Sequence, residues 1–132
     1  MEILKADIKY LRSGRFCSAS NEGVKHVKIL PYLSVVQATE GGYDISLGND
    51  ATTSTGEGGF FIAPAHIKQT IVHHVSSKSK KMSARWIFLD IEINDSFRLE
   101  HLYKFPIVIN DELKKDLNKL FDDFFESNDI WA

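Results

Sequence analysis

Gly58-Gly59-Phe60-Phe61-Ile62-Ala63-Pro64 runs into His66-Ile67-Lys68-Gln69-Thr70-Ile71-Val72-His73-His74 and, past a polar loop, into Arg85-Trp86-Ile87-Phe88-Leu89-Asp90. Glycines, a short apolar strand closed by a proline, and two alternating strands are the order in which an antiparallel β-barrel builds its wall around an interior pocket. Period two puts Gln69, Ile71 and His73 on one face of their strand, and Trp86 and Phe88 on one face of theirs, with Ile87, Leu89, Ile91 and Ile93 opposite. Both faces of the later strand carry apolar side chains, which suits a wall with a lumen on one side and a second layer on the other.

Working outward, Tyr32 to Ala38 is rich in residues that fit a pleated surface, Glu40-Gly41-Gly42 is a turn signal, and Tyr43-Asp44-Ile45-Ser46-Leu47 alternates strictly. Asn49 to Gly56 reads as a loop or a polar edge strand, Gly56 to Gly59 as a turn, and Lys78-Ser79-Lys80-Lys81 as a solvated hairpin tip. The first thirty residues alternate poorly. Short strands are expected near Ile8–Leu11 and Arg15–Ala19, and a turn at Asn21 to Gly23. After Pro106 the period changes to that of a helix. Leu113, Leu117, Leu120, Phe121, Phe124 and Phe125 form one apolar stripe, Asn110 suits the N-cap, and Asp111 and Glu112 suit the positive end of the dipole. An amphipathic helix from about Asp111 to Glu126, roughly 24 Å long, follows. The expected fold is mainly β, an antiparallel jelly-roll barrel over residues 1–106 followed by a helical segment over 107–132.

With 132 residues, 43% hydrophobic and 26% charged, the chain has the size and composition of one globular domain. No apolar run approaches the ~20 residues of a membrane span, and nothing at the N-terminus reads as a secretory signal, so a cytoplasmic protein is expected. The single cysteine, Cys17, cannot form an internal disulfide and reads as a small buried residue. The net charge of −2 argues against a nucleic-acid surface, and the helical region carries seven acids against three lysines.

Chemistry-bearing patterns are sparse. There is no nucleophile elbow and no Walker-type lysine loop; the glycines at 56–59 precede a strand, so the helix dipole that would hold a phosphate is missing. Asp90 and Glu92 sit on one strand face, about 6.6 Å apart, as a solvated strand end would place them. Of the five histidines, adjacent His73 and His74 point to opposite faces and cannot share an ion without distortion. No catalytic residue, metal or cofactor is expected. Aromatic and neutral polar groups remain, the lining for a small neutral ligand: Trp86, Phe88, Gln69 and His73, with Gln37 as a further candidate.

Gly58 followed after five residues by Pro64 resembles the start of the second cupin motif, Gly-x5-Pro-x-Gly-x2-His, with His66 at the second glycine and Gln69 at the metal-binding histidine. Together with the Gln69–Ile71 and Arg85–Phe88 strands, a Tyr103-Lys104-Phe105-Pro106 exit and the following helix, the chain resembles the N-terminal effector-binding domain of AraC-type transcription regulators from Pro31 to Phe125. The resemblance implies an N-terminal arm against the barrel mouth, an aromatic at Trp86 against a sugar face, and homodimerisation through Leu113, Leu117, Leu120, Phe121 and Phe124. It further implies a small-molecule effector, with DNA contacted only through an attached helix-turn-helix domain outside this chain. The alternative is a small cupin enzyme, such as a metal-dependent sugar isomerase or oxygenase; a third reading is a stand-alone carbohydrate-binding module.

Overall fold

The structure, a computed structural model, describes residues 5–95, 97–98, 107–109 and 111–127. Ten strands and one helix follow in order: β1 Ala6–Ser18, β2 Lys25–Lys28, β3 Leu33–Glu40, β4 Gly42–Leu47, β5 Thr53–Thr55, β6 Phe60–Ala63, β7 Gln69–His74, β8 Met82–Ile93, β9 Phe97–Arg98, β10 Ile107–Val108 and α1 Asp111–Ser127. One sheet has the order β1-β8-β3-β6-β10, with β9 paired to the end of β8; the other has the order β2-β7-β4-β5. Every pairing is antiparallel. The fold is mainly β, a double-sheet antiparallel barrel followed among the described residues by one helix, as the sequence pattern predicts. The Tyr103–Pro106 exit, His101 and the Asn110 cap lie outside the described residues.

Two features of this barrel were not readable from alternation. The N-terminal region is one 13-residue strand, not two short ones, because its register on β8 slips between Tyr10 and Arg12. A β-bulge of this kind changes which parity faces inward and so hides a single strand from a period-two reading. Strand β2 is a fully exposed edge, Lys25-His26-Val27-Lys28, with no apolar face to announce it. Cys17 is exposed on β1 rather than buried, since Phe16 takes the inward position beside it.

Between the sheets lies a core of Val36, Ala38, Tyr43, Ile45, Leu47, Phe61, Ala63, Ile71, Met82 and Ala84, all nearly inaccessible to solvent. A second core forms on the outside, where Phe121 and Phe125 of α1 meet Val35 and Phe60, with Ile87, Leu89, Leu117 and Phe124 around them. Phe121 stands edge-on to Phe60 at a centroid distance of 5.1 Å. Gly41, at φ 75°, makes the β3–β4 turn where a β-carbon would collide with the His74 carbonyl. Helix α1 has Asp111 and Glu112 in its first turn, where the dipole favours them. No helix among the described residues is long and apolar enough to cross a membrane.

Candidate functional site

The strand registers stack inward-facing side chains in rows. In the first sheet Arg12 pairs with Phe88, and Phe88 with Ser34; the next row is Gly14, Trp86, Val36 and Phe61; the third begins with Phe16 and Ala84. In the second sheet the corresponding rows are Lys28 with Gln69 and Leu47, His26 with Ile71 and Ile45, and His73 with Tyr43. The rows meet where Phe16 reaches His73 and Tyr43 reaches Phe61, and beside these contacts they enclose a cavity of about 540 Å3, within the range of small-molecule sites.

Trp86 forms much of one wall. Its indole packs over Gly14, where a β-carbon would come within 2.5 Å of the ring, so the missing side chain on β1 is what leaves room for the ring there. Phe16 stands 6.1 Å from Trp86, Phe88 stands 6.5 Å from it, and Tyr32 stacks on Phe88 at 4.6 Å. Facing them, His73 is held among Phe16, His26 and Tyr43 at centroid distances of 5.7, 4.8 and 5.0 Å. Asn21 Nδ2 lies 3.5 Å from His73 Nδ1; with the amide donating, Nδ1 accepts and Nε2 carries the proton. Burial, and secondarily the nearby His26 and Lys28, push the His73 pKa down to about 4, so the ring is neutral at neutral pH. Burial likewise raises the Tyr43 hydroxyl above its usual range.

Of the five residues expected to bind ligand, Trp86, Phe88 and His73 line this cavity. Gln69 shares the inward face of β7 and is fully buried, but does not reach the cavity lining. Gln37 is corrected: its side chain faces the helix, where Nε2 donates to Asn118 Oδ1 at 2.7 Å and its Oε1 accepts from Arg85 Nε at 2.7 Å. Its pairing with Arg85, not its own local sequence, fixes that face.

The expectation of a neutral lining is also corrected, because Arg12 and Lys28 border the cavity. Both escaped the sequence reading for the reasons already given, the bulge before Arg12 and the patternless edge strand that carries Lys28. Ser34 was missed too; it lines the cavity at 1% exposure, and its Oγ has no hydrogen-bond partner among the described residues.

A metal site of the kind the cupin resemblance implies does not fit these residues. Among the described residues no three His, Cys, Asp or Glu side chains converge. The cavity offers only the His26 and His73 imidazoles, and Gln69 stands at the motif's ligand position. Adjacent His74 faces outward, where its two nitrogens meet Glu22 and Asp44 at 2.8 Å each.

The five helix residues expected at a dimer contact divide. Phe121 is 3% exposed against the protein's own barrel, Leu117 and Phe124 pack on the same cluster, and Leu113 and Leu120 are 55% and 63% exposed.

No protein-family model matches the chain, and no curated protein matches it in sequence. Among solved structures the chain is similar to one described as a "putative mannose-6-phosphate isomerase" from Ralstonia eutropha JMP134, at 15% identity and a TM-score of 0.43, covering 65% of this chain and 83% of that one. This finding overturns the sequence-based expectation that the chain is not an enzyme; it assigns no reaction in its place.

Proposed function

We propose that the chain binds a small carbohydrate-like molecule inside its barrel, with a ring face of the ligand against Trp86. The observation that carries this reading is the indole packed over Gly14 at the edge of a 540 Å3 cavity. Aromatic planes offer the apolar face of a sugar a large, rigid contact at low entropic cost. In an enzymatic use of this site, neutral His73, with Asn21 fixing its tautomer, offers its Nε2–H as a hydrogen-bond donor to a sugar carbonyl oxygen. Such a contact polarises the carbonyl and acidifies the neighbouring C–H. A second reading, the effector-binding half of an AraC-type regulator, is favoured by the way α1 is fastened to β3 and β8 through Gln37, Arg85 and Asn118, one residue along from the cavity-lining Val36 and Trp86. In that reading Leu113 and Leu120 extend the helix stripe towards a second copy.

A thermal-shift series of aldoses, uronates and aldose phosphates tests the binding, with Trp86→Ala as the control. A ligand that raises the melting temperature of the wild-type protein and loses at least about tenfold in affinity in Trp86→Ala supports the reading; equal binding by the variant contradicts it. Deuterium uptake at the sugar carbon next to the carbonyl, run in D2O, then separates the two uses: uptake that depends on His73 belongs to an isomerase, and binding without exchange belongs to a sensor.

A further inference from the structure

The cavity has a polarity that its binding role alone does not require. Its lining includes Arg12, Lys28, His26 and His73 and no acidic residue, although the whole chain carries 18 acids against 16 bases. Among the described residues neither Arg12 nor Lys28 takes part in an ion pair.

The row pattern places both cations at one end. Phe16 and His73 touch across the cavity at a centroid distance of 5.7 Å. Two rows along from Phe16 on β1 comes Arg12, and two rows along from His73 on β7 comes Gln69, whose partner on β2 is Lys28. Arg12 and Lys28 therefore flank the same end from opposite sheets. Ser34 belongs to the Arg12 row through Phe88, and its buried Oγ lacks a partner. A buried hydroxyl left unpaired at a cavity wall costs stability unless something outside the protein completes it. Lys28 is exposed at the rim, yet partial desolvation of its side chain lowers its pKa, with no carboxylate acting against it. The charge is held there unneutralised.

We propose that the ligand is an anion, with a carboxylate or phosphate seated between Arg12 and Lys28 within reach of the Ser34 hydroxyl, and its ring extending along the Trp86 wall towards His73. Arginine supplies a planar fork that matches either oxyanion, lysine a point charge, and serine a neutral donor. The inference rests on the carbohydrate reading only for the ring portion; the anion end stands on its own residues.

The test titrates glucose, glucuronate, glucose 6-phosphate, benzoate and inorganic phosphate into wild-type protein, Arg12→Gln, Lys28→Gln and Trp86→Ala, each variant checked by circular dichroism. The expected result is binding of one or more anions with neutral glucose at least about tenfold weaker, and a loss of about tenfold or more in Arg12→Gln, the cost of one charge-assisted contact. Charge reversal in Arg12→Glu abolishes it, and added salt weakens it. Glucuronate against glucose 6-phosphate tells carboxylate from phosphate. Glucose binding as tightly as the anions in a Trp86-dependent manner overturns the inference and leaves the carbohydrate reading intact. Anion binding that needs Arg12 but not Trp86 supports the inference and sinks the ring contact. No binding by any of the four anions, or binding indifferent to both Arg12→Gln and Lys28→Gln, also overturns it.

Discussion

On the outward face of the β3–β8 ladder Val35, Gln37, Arg85 and Ile87 lie beneath helix α1, whereas on the inward face their chain neighbours Ser34, Val36, Trp86 and Phe88 border a cavity. The same two strands thus present one filled face and one hollow one. Outside, phenylalanines occupy the volume and Gln37, Arg85 and Asn118 answer one another. Arg85 donates to Gln37 Oε1 and to Asn118 Oδ1, pairs with Asp122 at 2.8 Å, and lies over the rings of Phe121 and Phe125. Inside, large rings border a cavity, and the buried oxygens of Ser34 and Asn21 have no hydrogen-bond partner among the described residues. Protein interiors are otherwise close-packed and satisfied. The contrast says which face is built for stability and which is kept open for another molecule.

The largest effect should come from breaking the filled face. Phe121→Ala removes a side chain buried to 3% exposure against Phe60 and Phe125; a loss of about 3–5 kcal/mol in urea unfolding is expected. Trp86→Ala, by contrast, borders space that is already empty and should cost distinctly less, so equal losses at the two positions would erase the distinction between the faces.

An acid titration sharpens the comparison next. The folded-state pKa of His73 is lowered to about 4, while the unfolded chain takes up that proton near 6.5. Stability is therefore fully present above pH 6.5 and falls as pH drops from there towards 4, by up to about 3 kcal/mol. Outward-facing His74 has the opposite sign: Asp44 and Glu22 raise its pKa, so its contribution is present below pH 6.5 and is lost as pH rises through the raised value. His73→Phe should flatten the acid limb between pH 6.5 and about 4.5 in denaturant titrations, and an unchanged slope would contradict the buried neutral ring.

A smaller effect is expected from Arg85→Met. Methionine keeps the contact with Phe121 and Phe125 but leaves Gln37 and Asn118 each short of a partner. Asp122 is half exposed and can turn to water, so the cost should be about 1–2 kcal/mol. Chemical denaturation checks it, and ligand affinity should change little if the face serves only as support.

The legible parts of this barrel were those where burial on one side enforces alternation. β4, β6, β7 and the centre of β8 announce themselves, and Trp86, Phe88 and His73 were placed inward by counting in twos. The helix was equally plain, because a stripe of leucine and phenylalanine has no other period. Arg12 and Lys28 were hidden where that rule fails: a bulge shifts the parity of β1, and β2 buries neither face. Gln37 was misplaced because its strand is apolar on both sides, so only the pairing with Arg85 decides its direction. Ser34 carries no signal at all in one sequence; its meaning lies in being buried without a partner, which is a property of the assembled rows.

The chain has two tryptophans, so replacing Trp131 by Phe leaves Trp86 as the only indole emitter. Acrylamide quenching of that protein tests the open inward face directly. A hollow barrel predicts efficient quenching of Trp86 in the folded state, relieved when a bound ligand such as glucuronate fills the cavity. Emission as resistant to acrylamide as that of a closed core would contradict the account.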